Sequence, residues 1–111
     1  KVQKKAAKVG FDWPDVQGAF DKVEEELKEL KEAAETGEKA RCEEELGDLL
    51  FSVVNVSRFL GVEPEQSLTE ACNKFISRFE KVERLAADRS VNMEKASLEE
   101  LDQLWDEAKK S

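Results

Sequence analysis

The sequence predicts an all-α fold, a helical bundle of about five helices, and three observations carry that expectation. Apolar and charged residues each make up 40% of the 111 residues, a balance that suits amphipathic helices better than a sheet. Apolar positions recur at alternating spacings of three and four, the period of one helix face. Only two prolines and five glycines are present, so long loops are not expected.

The first helix is expected from the start of the chain to about Val9, with Gly10 as its stop. Phe11-Asp12-Trp13-Pro14 reads as a connector, since Pro14 blocks helical continuation through it. A second helix runs from the N-cap Asp15 to about Thr36, with a stripe of Val16, Phe20, Val23, Leu27, Leu30 and Ala34. On this reading Glu26 falls roughly 80° from the stripe's centre and flanks the buried face. Gly37 breaks the chain, and a third helix follows from about Glu38 to Leu60, closed by Gly61. Its stretch Leu49 to Val56 is apolar almost all round, so it needs neighbours on several sides. Self-association supplies them; cover by the chain's own other helices is the alternative.

Pro64 suits the first turn of a fourth helix reaching about Asp88, with Leu68, Ala71, Cys72, Phe75, Ile76, Phe79 and Val82 on one face. Arg89 to Ala96 reads as irregular, and Ser97-Leu98-Glu99-Glu100 as a capping box opening the last helix. Cys42 and Cys72 sit at apolar helical positions, where a small buried thiol is the simple expectation, and no disulfide scaffold is implied. A reducing cytoplasm fits. No run approaches the ~18 apolar residues of a membrane span, and no signal peptide is visible. The abrupt start at Lys1 suggests a domain from a longer protein.

Charge and composition narrow the chemistry. A net charge of -8 disfavours a nucleic-acid partner. Histidine is absent, which removes the usual neutral-pH acid/base and the usual zinc ligand. There is no phosphate-cradling Gly-rich loop and no Ser/His/Asp set. Metal-assisted attack by water is the catalysis left open.

The acidic pattern supplies a candidate. Glu26 and Glu29 are three apart on one helix, and Glu45 and Asp48 repeat the spacing on the next. Glu29 and Glu45 each lie eight residues from Gly37, and Glu26 and Asp48 each lie eleven. At about 1.5 Å per residue, an antiparallel hairpin sets the inner pair roughly 12 Å from the turn and the outer pair roughly 16 Å from it. Two unit charges ~6 Å apart at an effective dielectric near 20 cost roughly 3 kcal/mol. Four carboxylates so placed must protonate, splay or bind a cation, and oxygen-only ligands favour Mg²⁺ or Mn²⁺. Solvated acids on amphipathic helices remain the alternative.

Lys74, Arg78 and Lys81 line one side of the fourth helix, either as a polyphosphate grip or as ordinary surface charge. Trp105 and Lys109, one turn apart, could stack a base and touch phosphate, or the indole could simply dock a helix. Trp13 leans toward packing.

Glu25-Glu26-Leu27-Lys28-Glu29 with Glu45-Leu46-Gly47-Asp48 resembles the EExxE…ExxD signature of the MazG-type all-α nucleoside triphosphate pyrophosphohydrolases. Val9 to Pro14, Asn73-Lys74-Phe75 and Leu98 to Trp105 extend the likeness over essentially the whole chain. It is nearest to the C-terminal domain of the two-domain bacterial members. The resemblance implies one catalytic domain over residues 1–111. It also implies Mg²⁺-dependent hydrolysis of NTPs and dNTPs to monophosphate and pyrophosphate, and a homodimer. By motif position Glu26, Glu29, Glu45 and Asp48 would be metal ligands, and Lys74 and Arg78 would hold the triphosphate. Arg41, Trp105 and Lys109 would be further nucleotide contacts, and Glu25 a candidate general base. Broad base use is expected, because no side-chain set reads a base edge uniquely. A dUTP- or dCTP-specific relative and a non-enzymatic helical dimerisation or adaptor domain are the rivals.

Overall fold

In the computed structural model, which describes residues 2–110, five helices follow one another: α1 (Val2–Lys8), α2 (Val16–Thr36), α3 (Lys39–Leu60), α4 (Pro64–Asp88) and α5 (Leu98–Lys110). No strand occurs among the described residues, so the all-α expectation holds. None of these helices is long and apolar enough to cross a membrane. Packing divides the chain into two units, Lys1–Pro64 and Glu65–Ser111.

The boundaries follow from local chemistry. Asp15 caps α2, its side chain accepting from the Gln17 N–H at 3.0 Å. Gly37 ends α2 at φ 72°, where its N–H donates to Ala34 O, and Gly61 ends α3 at φ 70°. That left-handed conformation costs a glycine almost nothing and a β-carbon residue much more. Ser97 opens α5 by accepting from the Glu100 N–H at 3.1 Å. The reciprocal half of the box takes another form, with the Ser97 hydroxyl donating to Glu100 Oε1 at 3.3 Å.

In the first unit α2 and α3 form a hairpin about Gly37 and pack along their lengths. The inward positions of α2 are Ala19, Glu26 and Ala33, all buried, with Val23 and Leu30 half-buried between them and Val16 half-buried before them. This corrects the sequence reading. Glu26 does not flank the buried face; it lies within it, one heptad from an alanine on either side. Phe20 and Leu27, expected in the core stripe, are each 41% exposed. Two helices approach most closely where side chains are smallest, so Ala19 and Ala33 set the seam and the larger apolar residues are rotated off it. Facing them, α3 presents Glu45, Leu49, Ser52 and Val56 at spacings of four, three and four. On its other sides Leu46, Leu50, Phe51, Val53 and Val54 are exposed.

Two contacts fix α1 and the connector on α3. The buried Gln3 donates to Phe51 O at 2.8 Å. Arg58 pairs with Asp12 at 2.5 Å, donates to Asn55 Oδ1, and lies 4.6 Å over the Phe59 ring. The Arg58 guanidinium holds the Asp12 carboxyl below its ordinary value. Trp13 lies against Gly18, where an added β-carbon would meet its ring at 3.0 Å.

The second unit closes on Val82 and Ala86 of α4 with Leu104 and Ala108 of α5. Leu85, Val91, Met93, Leu101 and Trp105 pack around them. The cysteines depart from expectation. Both are free thiols, with Cys42 half-buried and Cys72 exposed. Cys72 sits on the N-terminal half of α4, where Leu68, Phe75 and Ile76 are also exposed, so the expected apolar face is not buried along that stretch.

Candidate metal centre

The α2–α3 seam carries one acid on each side, Glu26 and Glu45, and these two define the site. Glu26 is buried to 5% exposure and Glu45 is half-buried. Lys22, one turn before Glu26, pairs its Nζ with Glu26 Oε1 at 2.9 Å. Glu26 Oε2 and Glu45 Oε2 are both buried, and neither has a hydrogen-bond partner. A buried carboxylate oxygen without a donor costs desolvation energy that nothing returns. Two of them in one seam are a demand for positive charge.

Glu29 completes the group. One carboxylate oxygen from each of Glu26, Glu29 and Glu45 lies within 4.8 Å of the other two. Around an octahedral Mg²⁺ adjacent ligand oxygens stand roughly 3 Å apart and opposite ones roughly 4.2 Å, so the three would draw closer together to share an ion. The electrostatics agree. The Glu29 carboxyl is held above its ordinary value, first by the charge of Glu26, then by burial, then by its contact with Glu45. Such crowding raises a carboxyl's pKa unless a cation intervenes. The residues therefore fit a hard divalent ion: oxygen donors only, convergent, and short of positive charge.

Asp48 falls in a second, overlapping group with Glu44 and Glu45, again with oxygens within 4.8 Å of one another. Glu45 belongs to both groups. Asp48 and Glu44 are exposed, at the rim of the seam. Glu25 is exposed, with Oε2 3.6 Å from Lys22 Nζ. Arg41 is exposed near the start of α3.

The remaining candidates lie in the second unit. Lys74 is exposed on α4, and Arg78 and Lys81 are half-buried. Trp105 on α5 is half-buried, its ring 5.2 Å from Phe75 and tilted by 40°. The indole thus has a packing role within its own unit. Lys109 is exposed in the last turn of α5.

Sequence reasoning passed over two residues of the acid group's surroundings. Lys22 was discoverable as the i, i+4 partner of Glu26. Glu44 was discoverable only as one of three consecutive glutamates, a weak signal in a chain this acidic.

Comparison with known proteins gives the family. Residues 16–83 match the MazG nucleotide pyrophosphohydrolase domain, a span that contains all of the acids above. The chain is 50% identical over 109 residues to the Thermotoga maritima nucleoside triphosphate pyrophosphohydrolase/pyrophosphatase MazG, covering 98% of this chain and 42% of that protein. It is 42% identical over 112 residues to the Escherichia coli K12 nucleoside triphosphate pyrophosphohydrolase, covering 99% of this chain and 43% of that protein. A Bacillus subtilis protein of uncharacterised role, YabN, is 47% identical over 67 residues, 60% of this chain and 14% of its own. The chain thus spans about two fifths of the length of its first two relatives. With its acids gathered on one helical seam and its sequence matched across that seam, this chain belongs to the MazG nucleotide pyrophosphohydrolase domain family.

Proposed function

We propose that this chain hydrolyses nucleoside triphosphates to nucleoside monophosphate and pyrophosphate, using Mg²⁺ held by Glu26, Glu29, Glu45 and Asp48, with Mn²⁺ able to replace it. The observation that carries the reading is the pair of buried, partnerless carboxylate oxygens of Glu26 and Glu45 in the α2–α3 seam. The names of the relatives from Thermotoga maritima and Escherichia coli support it.

When bound, the cation neutralises phosphate oxygens and makes a water easier to deprotonate. The seam carboxylates fix its position, because α2 and α3 pack along their lengths with Ala19 and Ala33 of α2 buried between them. Glu25, exposed beside Lys22, accepts the proton of the attacking water at its carboxylate. Attack falls on the α-phosphorus, the bond from that phosphorus to the bridging oxygen breaks, and pyrophosphate leaves. Lys74 and Arg78 bind triphosphate oxygens and offset the leaving group's charge. Arg41, Trp105 and Lys109 are further nucleotide contacts in this reading. Base use is broad, since none of these groups is committed to a base edge.

The protein acts as a homodimer. Phe20 and Leu27 on α2 and Leu46, Leu50, Val53 and Val54 on α3 form an exposed apolar surface on the first unit. Such a surface is costly in water and suits a second copy of the chain. Its setting is the cytoplasm, where its substrates are.

Pyrophosphate release from a panel of NTPs and dNTPs tests the proposal, with Glu45→Ala beside the wild type. Turnover of several nucleotides, falling at least ~100-fold in the variant, is expected for loss of a metal ligand. Equal rates in both proteins would remove the site, and no release by either would favour an adaptor role.

A further inference from the structure

Among the described residues, Lys22 is the cation paired with the acid group in the first unit. Its Nζ lies 2.9 Å from Glu26 Oε1 and 3.6 Å from Glu25 Oε2. The contact is specific to one oxygen, since Glu26 Oε2 is buried and partnerless. Glu26 is thus divided, with one oxygen committed to an internal ammonium and the other free within the seam.

We propose that Lys22 is a built-in counter-ion that shares Glu26 with the divalent cation, stabilising the metal-free seam and, by the same charge, holding metal affinity down. The inference rests on the metal site proposed above. Its logic is linkage. The ammonium offsets repulsion among Glu26, Glu29 and Glu45 when no divalent ion is present. Once an ion is bound, that repulsion is already neutralised, and Lys22 becomes a like charge beside it. A group that stabilises the metal-free state more than the metal-bound state must weaken binding by the same ratio. Lys22 also restricts Glu26 to a single ligand oxygen, so it is a positioning residue for the ion.

This predicts an unusual sign. Lys22→Met keeps the aliphatic stem and removes the charge. Its melting temperature should fall below wild type without divalent cation, and the gap should close in saturating Mn²⁺. Calorimetric titration with Mn²⁺ alone should show at least about threefold tighter binding than wild type. Lys22→Arg should restore wild-type affinity. Lys22→Gln, which retains a hydrogen-bond donor, should also bind more tightly and serves if Lys22→Met does not fold. General damage to the seam would loosen binding, in the opposite direction. Mn²⁺ affinity unchanged or weaker in both neutral variants, with wild type binding normally, would overturn the role of Lys22. Failure of wild type itself to bind Mn²⁺ would overturn the site beneath it.

Discussion

The α2–α3 pair buries Ala19 and Ala33, both on α2, and the α4–α5 pair buries Ala86 on α4 and Ala108 on α5. What is buried beside the alanines differs. The second pair fills its seam with Val82 and Leu104, fully apolar and without an orphaned polar atom among the described residues. The first places Glu26 between its alanines and brings Glu45 up from α3. Burial in one pair stabilises; in the other it concentrates charge. A seam built like the second would have been the more stable choice for the first, because a buried ion usually adds no more stability than a hydrophobe of similar volume. On the proposed metal site, the acids mark a place where folding energy is given over to binding.

The sharpest test of the contrast exchanges one seam residue from each pair. Leu104→Ala should cost about 2–5 kcal/mol in denaturant unfolding, the usual range for a large-to-small change in a packed core. Glu26→Leu should lie between neutral and about 4 kcal/mol more stable without divalent cation, and should lack the stabilisation by Mg²⁺ expected of the wild type. A Glu26→Leu protein as damaged as Leu104→Ala would mean that the first seam is an ordinary core after all.

A smaller effect separates two acids within the first unit. The Glu29 carboxyl stands above its ordinary value of 4.5 in the fold, through the charge of Glu26, burial and Glu45. The folded state then binds its proton more tightly than the unfolded state. Ionised Glu29 costs stability above its folded pKa, and that cost disappears as pH falls to 4.5. Asp12 is the reverse. Arg58 holds it below 3.8, so its contribution is complete above that value and is lost as pH falls through the lower folded one. Without divalent cation, Glu29→Gln should be more stable than wild type at pH 7, and the advantage should shrink toward pH 4.5. Asp12→Asn should be less stable at pH 7, with the deficit persisting until below pH 3.8. Thermal melts across that range read both, and parallel profiles would show that the two acids share one environment.

Much of the fold was legible because its punctuation is local. Gly37, Gly61, Asp15 and Ser97 act through their own backbone or side chain within a turn, so the helix ends follow from sequence. The side of α2 that faces inward did not follow. Hydrophobicity picks out Phe20 and Leu27, but close approach is decided by Ala19 and Ala33, whose apolar signal is slight. The apolar stripe serves a different surface from the seam. Counting from Gly37 matched the heights of Glu29 and Glu45, which the fold does bring together. It could not show that Glu26 is buried, since that depends on rotation about the helix axis. Nor could spacing reveal that Asp48 gathers with Glu44 and Glu45, a matter of side-chain direction at the rim. Lys22 escaped because in a chain with 18 basic residues an i, i+4 pair stands out only once its acid is known to be buried.

The central claim is that the α2–α3 seam holds a divalent cation. Crystals of the 111-residue chain grown with Mn²⁺, measured at the manganese absorption edge, address it directly. An anomalous peak about 2.0–2.3 Å from oxygens of Glu26, Glu29 and Glu45 is the expected result. A map with no peak in that seam, or with manganese bound only by acids elsewhere on the surface, would contradict it.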